Sequence, residues 1–224
     1  MLKSKKIFIY IILIVGLMFN FGCSKESDLN PFSPDYSGPT ENELLEDGFN
    51  IYNAYVNGTA DESDLSDALD DFTGALDANP MSYQAHIGKA LINIKLGNIE
   101  TAMNYFDEVT MSPEMNTALM ADIPYMRILY YGKAELYALE YNNRSSAMQL
   151  LETLVYGGGT DITIEEWAFE YDSTISSANI LALLAELYFY EGYYSEADVL
   201  VTQALAWDPD NERANNIDQL LSEL

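Results

Sequence analysis

The chain reads as all-α: an α-solenoid of antiparallel helix pairs with a C-terminal capping helix. Three observations point there. Small residues, a turn glycine and a closing proline recur at matched spacing, so that Ala68 has its counterpart in Ala102 one whole unit later. Alternation of apolar and polar residues never runs beyond four residues, so no half-buried strand is signalled. Of the 224 residues, 49% are hydrophobic, enough for the core of one or two domains and too many for a disordered acidic tail.

The elements follow in order. Lys3, Lys5 and Lys6 precede an apolar run from Ile7 to Phe19, and Asn20-Phe21-Gly22-Cys23 closes it. A basic start, a short apolar stretch and a small residue form the layout of a secretory signal. The run falls short of the about 20 residues that span a bilayer. Cys23 is the single cysteine. Its place after Gly22 resembles the lipobox of bacterial lipoproteins, with Asn20 and Phe21 where a Leu and a small residue are usual. That resemblance implies a signal peptide over 1–22 and lipidation at Cys23. It also implies anchoring in the cell envelope, and Ser24 after the cysteine implies the outer membrane. An acylated thioether plus an N-acyl chain suffices for stable attachment. Losing the leader removes three lysines and no acid, so an already acidic body stands away from anionic headgroups.

Residues 23–40 form the lipidated end and a tether, kept extended by Pro31, Pro34 and Pro39. The helical body occupies 41–224. Its last unit is the clearest: Ala185, Tyr188, Gly192, Ala197, Val201, Ala204 and Pro209. Alanines let two helices approach, Tyr188 and Val201 fill the space between them, Gly192 turns the chain, and Pro209 ends the second helix. The second unit repeats this with Ala90, Gly97, Ala102, Phe106 and Val109. The first does so with Gly48, Ile51, Ala68, Phe72, Ala75 and Pro80, and the third with Ala134, Tyr137, Ala147, Leu151 and Leu154. These spacings resemble the tetratricopeptide repeat, a helix-turn-helix unit of about 34 residues. The steps from Ala90 to Ala134 and from Ala134 to Ala185 exceed that length, so insertions fall near Thr110–Ile123 and Gly157–Ser173. Thr160 to Ile164 is the most strand-like stretch and is expected to be an ordered loop. Ala214, Ile217, Leu220, Leu221 and Leu224 mark the capping helix that such arrays need.

Chemistry is sparse. The net charge is −26, which excludes nucleic-acid binding through clustered cations. His86 lacks a positioning partner in the sequence. Gly157-Gly158-Gly159 lacks the Lys-Ser/Thr of a phosphate loop. The acidic run Asp61, Glu62, Asp64, Asp67, Asp70, Asp71 lacks the ligand alternation of a calcium loop. Glu135 and Glu186 could face one another as a glycosidase pair does, but a chain with 36 acids makes such pairs by chance. No enzyme activity, cofactor or metal is expected.

The expectation is binding. The repeat resemblance implies that first helices line a groove. Unit one supplies Asn42, Leu45, Phe49 and Tyr52; unit two supplies Gln84, Ile87, Leu91 and Ile94. Unit three supplies Ile128, Tyr131, Glu135 and Ala138; unit four supplies Asn179, Ala182, Glu186, Phe189 and Tyr190. The expected partner-binding groove comprises Phe49, Tyr52, Ile87, Leu91, Tyr131, Phe189 and Tyr190, with Tyr131, Phe189 and Tyr190 as its anchors and Glu135 and Glu186 as an acidic rim. Apolar stripes at helical spacing are also how cores are made. The expected function is an envelope scaffold that holds another protein, apolar or basic at the contact. The alternative is capture of a glycan on an exposed aromatic, for which Trp167 is the candidate.

Overall fold

The computed structural model describes residues 38–139, 142–159 and 161–224. The expected leader, Cys23 and most of the expected tether lie outside them. Among the described residues there are ten helices and one strand pair. Four antiparallel helix pairs follow in order: α1 (Glu41–Val56) with α2 (Asp64–Ala78), and α3 (Tyr83–Lys95) with α4 (Ile99–Met111). After a short α5 (Pro113–Met120) come α6 (Ile123–Leu139) with α7 (Arg144–Tyr156). The strands β1 (Ala168–Phe169) and β2 (Asp172–Ser176) lead into α8 (Ser177–Glu191), which pairs with α9 (Tyr194–Trp207). The last helix, α10 (Glu212–Ser222), packs on α8 and α9 and buries Ala214 and Ile217 against them. This is an α-solenoid with a capping helix.

Local chemistry sets the helix ends. Thr40 and Glu43 form a reciprocal capping box on α1, satisfying two amides that a helix start leaves unpaired. Ser82, Ser112, Asn143, Ser176 and Asn211 each accept from an amide three residues on. At the end of α8, Gly192 takes φ 85°, the left-handed conformation that any other residue adopts only with strain.

The seams between units are built by complementary volumes. Phe72 of α2 is fully buried between α1 and α3. A Cβ placed on Gly88 would meet its ring at 2.4 Å, and one on Gly48 would meet it at 3.0 Å. The next seam repeats the arrangement: a Cβ on Gly132 would come within 2.7 Å of Phe106. In the third, Leu151 holds the phenylalanine position and Leu183 the glycine position, both buried. A smaller side chain stands at the ring position of the unit whose glycine position is larger, as close-packed cores require.

The two insertions differ. The first becomes α5, started by Ser112 and Pro113. The second begins as the ordered loop expected at its start and then adds a strand pair that the sequence does not signal. Thr160–Ile164 shows no strand among its described residues; the Thr163 and Ile164 amides donate to the Val155 carbonyl at the end of α7 and order the loop there. Strand pairing occurs further on, where Ala168 pairs with Ser176 and Phe169 with Asp172 across an irregular register. A two-residue strand is too short to show alternation.

Candidate functional site

The second insertion lies across the face made by the first helices. Tyr171 stacks on Phe49 with centroids 5.0 Å apart, and Phe169 meets Phe49 at 5.8 Å and Tyr125 at 6.1 Å, edge to face. The Asn53 amide donates to the Glu170 carbonyl at 3.2 Å. Asp172, almost fully buried, accepts from the Tyr52 hydroxyl at 2.6 Å and pairs with the Lys95 ammonium at 3.1 Å. Burial pushes the Asp172 carboxyl up. Hydrogen bonds from Thr174 and Tyr52, together with the Lys95 charge, outweigh it and hold the group below the ordinary carboxylate range.

This hairpin changes the standing of several predicted groove residues. Phe49 and Tyr52 lie beneath it and are closed to solvent. Ile87 is fully enclosed and Leu91 nearly so. Tyr131 is only 9% exposed and donates from its hydroxyl to Glu135 at 2.7 Å. Burial first, and then the Glu135 charge, push that phenol well above its usual range, with Arg213 opposing. Phe189 is half-buried, whereas Tyr190 is 54% exposed.

Glu135 and Glu186 do come together, with a cation between them. Arg213 of α10 reaches Glu135 with Nη1 at 2.8 Å and Nη2 at 3.4 Å, and Glu186 with Nε at 3.1 Å. Such a planar fork suits two carboxylates at once. It also occupies the space that a substrate and an attacking water would need between a glycosidase pair. α10 is fixed in that place by Asn211, which caps it and donates to Asn179 of α8 at 2.8 Å. Arg213 carries no repeat signal in the sequence, because it sits on the capping helix, outside the repeat units.

Two adjoining spaces open beside these residues. One, of about 320 Å³, lies between β2, α3 and α6, with Leu91, Ile94, Leu136 and Ile175 among its walls. The other, of about 610 Å³, runs on past Tyr131, Glu135 and Thr174 to Glu186, Tyr190, Glu212 and Arg213. Trp167 is half-buried; Arg127 covers one indole face at 5.4 Å and Phe169 lies 6.5 Å away. It is not a bare stacking platform. His86 is buried, with Nδ1 3.0 Å from the Glu108 carboxylate, and so lies away from both spaces.

The fold is a helical-repeat array whose first-helix face is covered by the hairpin in one half and open and acidic in the other. No protein-family model and no curated protein matches the chain. Among solved structures it is similar to a thermophilic TPR protein of Thermus thermophilus. The identity is 18%, covering 82% of this chain and 100% of that one, with a TM-score of 0.43.

Proposed function

We propose that the protein is a lipid-anchored scaffold of the bacterial cell envelope, tethered through Cys23, probing its surroundings with the unfilled half of its first-helix groove and holding another protein there. The observation that carries the binding reading is the hairpin. It fills the groove over α1 and leaves a solvent-reachable stretch from Tyr131 to Tyr190. The anchoring reading is supported by the basic start, the short apolar run and the single cysteine that closes it. Among the described residues no helix is long and apolar enough to cross a membrane.

The test has two parts. Cys23→Ser is expected to move the protein from the membrane to the soluble fraction; membrane retention of that variant in high salt would overturn lipid anchoring. Affinity capture from envelope extracts should recover a partner with the wild type and lose it with Tyr190→Ala combined with Glu186→Lys, helicity unchanged. Normal capture by that double variant would place the binding surface elsewhere.

A further inference from the structure

The smaller of the two spaces exists because the hairpin is there. β2 supplies Ile175 as one wall, opposite Ile94 of α3 and Leu136 of α6. Its charged members are already matched: Lys95 with Asp172, and Glu135 with Tyr131 and Arg213. An ion entering this space would lose its hydration and find no free partner. The occupant is therefore uncharged where it is enclosed. At about 320 Å³ the space is small, far below what a helix about 10 Å across requires. That leaves a single large side chain on an extended segment.

The adjoining groove carries the opposite instruction. Glu135, Glu186 and Glu212 line it against one cation, Arg213, so it holds excess negative charge open to water. A segment that leaves the pocket in that direction gains from basic residues. We propose that the pocket between β2, α3 and α6 takes one large apolar or aromatic side chain of an extended partner segment whose neighbouring residues, lying in the acidic groove, are basic. This rests on the groove being the partner site, and it specifies what that partner presents.

Short synthetic peptides test it. The probe is acetyl-Ser-Trp-Lys-Lys-amide, titrated into the protein with isoleucine methyl groups observed by NMR. Shifts are expected at Ile94 and Ile175. Replacing the probe's Trp by Ala should weaken binding at least tenfold. Replacing both Lys by Glu should weaken it at least fivefold, and salt should weaken the lysine peptide more than the glutamate one. Ile94 and Ile99 both line the pocket from half-buried positions; Ile94→Trp and, separately, Ile99→Trp should each fill it and weaken the probe at least tenfold with helicity kept. No methyl shift at millimolar probe, equal binding of the Ala peptide, or binding untouched by both fillers would overturn the proposal. Free 3-methylindole binding as tightly as the peptide would also overturn it, by making this a small-molecule pocket. Capture of the envelope partner separates the two readings. Capture that depends on Tyr190 and Glu186 but ignores both fillers sinks the pocket and spares the groove; capture indifferent to all four sinks the groove.

Discussion

Phe49, Leu91, Glu135 and Glu186 each follow the small residue of their unit's first helix, Gly48, Ala90, Ala134 and Ala185. The same register position therefore reads Phe, Leu, Glu, Glu along the array. In the first two units it is closed to solvent, beneath the hairpin or against it. In the last two it is charged, reaches water and is bridged by Arg213. One geometrical row thus serves as core in one half and as surface in the other. What decides is whether burying the side chain gains free energy: an aromatic does, and a carboxylate does only with a matched cation. The chain supplied its own aromatic segment for the first half and one arginine for the second.

Phe169→Ala breaks the filled half most severely. Deleting a buried phenyl costs about 3 kcal/mol or more, and this ring touches Phe49, Tyr125, Trp167 and Tyr171. Trp167 reports the change directly, since the only other tryptophan is Trp207. In a Trp207→Phe background its emission should shift to the red while far-ultraviolet circular dichroism stays helical. A melting temperature within about 1 °C of wild type would mean that the hairpin adds little to the core.

Asp172→Asn should cost somewhat less, about 2 kcal/mol at pH 7, by weakening a buried charge-assisted network without opening a cavity. The pH dependence is the sharper measurement. The folded carboxyl is held below its ordinary range, so its contribution is complete above the unfolded-chain value of about 3.9. It is lost as pH falls through the still lower folded value. The stability gap between wild type and Asp172→Asn should therefore be full at neutral pH and close progressively in acid below about 3.9. A gap that stays constant into strong acid would remove Asp172 from that role.

In the other half, Arg213→Ala leaves Glu135 and Glu186 facing each other without their cation. Each of the three side chains keeps roughly a quarter of its surface in water, so solvent screens part of the loss. The expected cost is about 1.5 kcal/mol, between an exposed and a buried pair. Adding Glu135→Gln should recover part of it, because one repelling charge is gone. A double variant less stable than Arg213→Ala alone would show that Glu135 acts mainly through Tyr131.

The repeat framework was legible because its signals are local. Small residues, turn glycines and helix-ending prolines sit within one unit, and the seam rings Phe72 and Phe106 stand one repeat apart. The hairpin was not legible. Tyr52 and Asp172 meet across 120 residues, and neither strand carries a periodic pattern. Gly88 and Gly132 each lie two residues before a unit's alanine, but their role depends on a ring from the preceding unit. A better signal was the scarcity of cations. Only six Lys and Arg lie between Lys89 and the end of the chain, and each has a defined contact. Lys89 bonds Thr73, Lys95 meets Asp172, Arg127 covers Trp167, Lys133 pairs with Asp107, Arg144 pairs with Glu191, and Arg213 bridges two glutamates. In so acidic a chain, asking what each cation holds leads to Asp172 and to the Glu135–Glu186 pair.

Tyr190→Ala carries the smallest expected effect on the fold, and it separates the two halves most cleanly. The side chain is more than half exposed. Its contacts are an edge-to-face approach to Phe189 at 5.7 Å and the Arg144 guanidinium 5.3 Å over its ring. An exposed cation–π contact is worth about 0.5–1 kcal/mol at most, and Arg144 keeps Glu191 as a partner at 3.7 Å. Stability should change by about 0.5 kcal/mol or less. If Tyr190 is an anchor for the partner, the same substitution should weaken binding by about 2 kcal/mol, a factor of about thirty. Phe169→Ala is expected to show the reverse balance, with a large loss of stability and a binding loss only through the displaced wall at Ile175. Measuring melting temperature and partner affinity for both variants therefore places each half on one of two axes. A Tyr190→Ala protein that melts several degrees lower would mean that the exposed half is also holding the fold together. The division between filled and open groove would then fail at the residue where it is easiest to test.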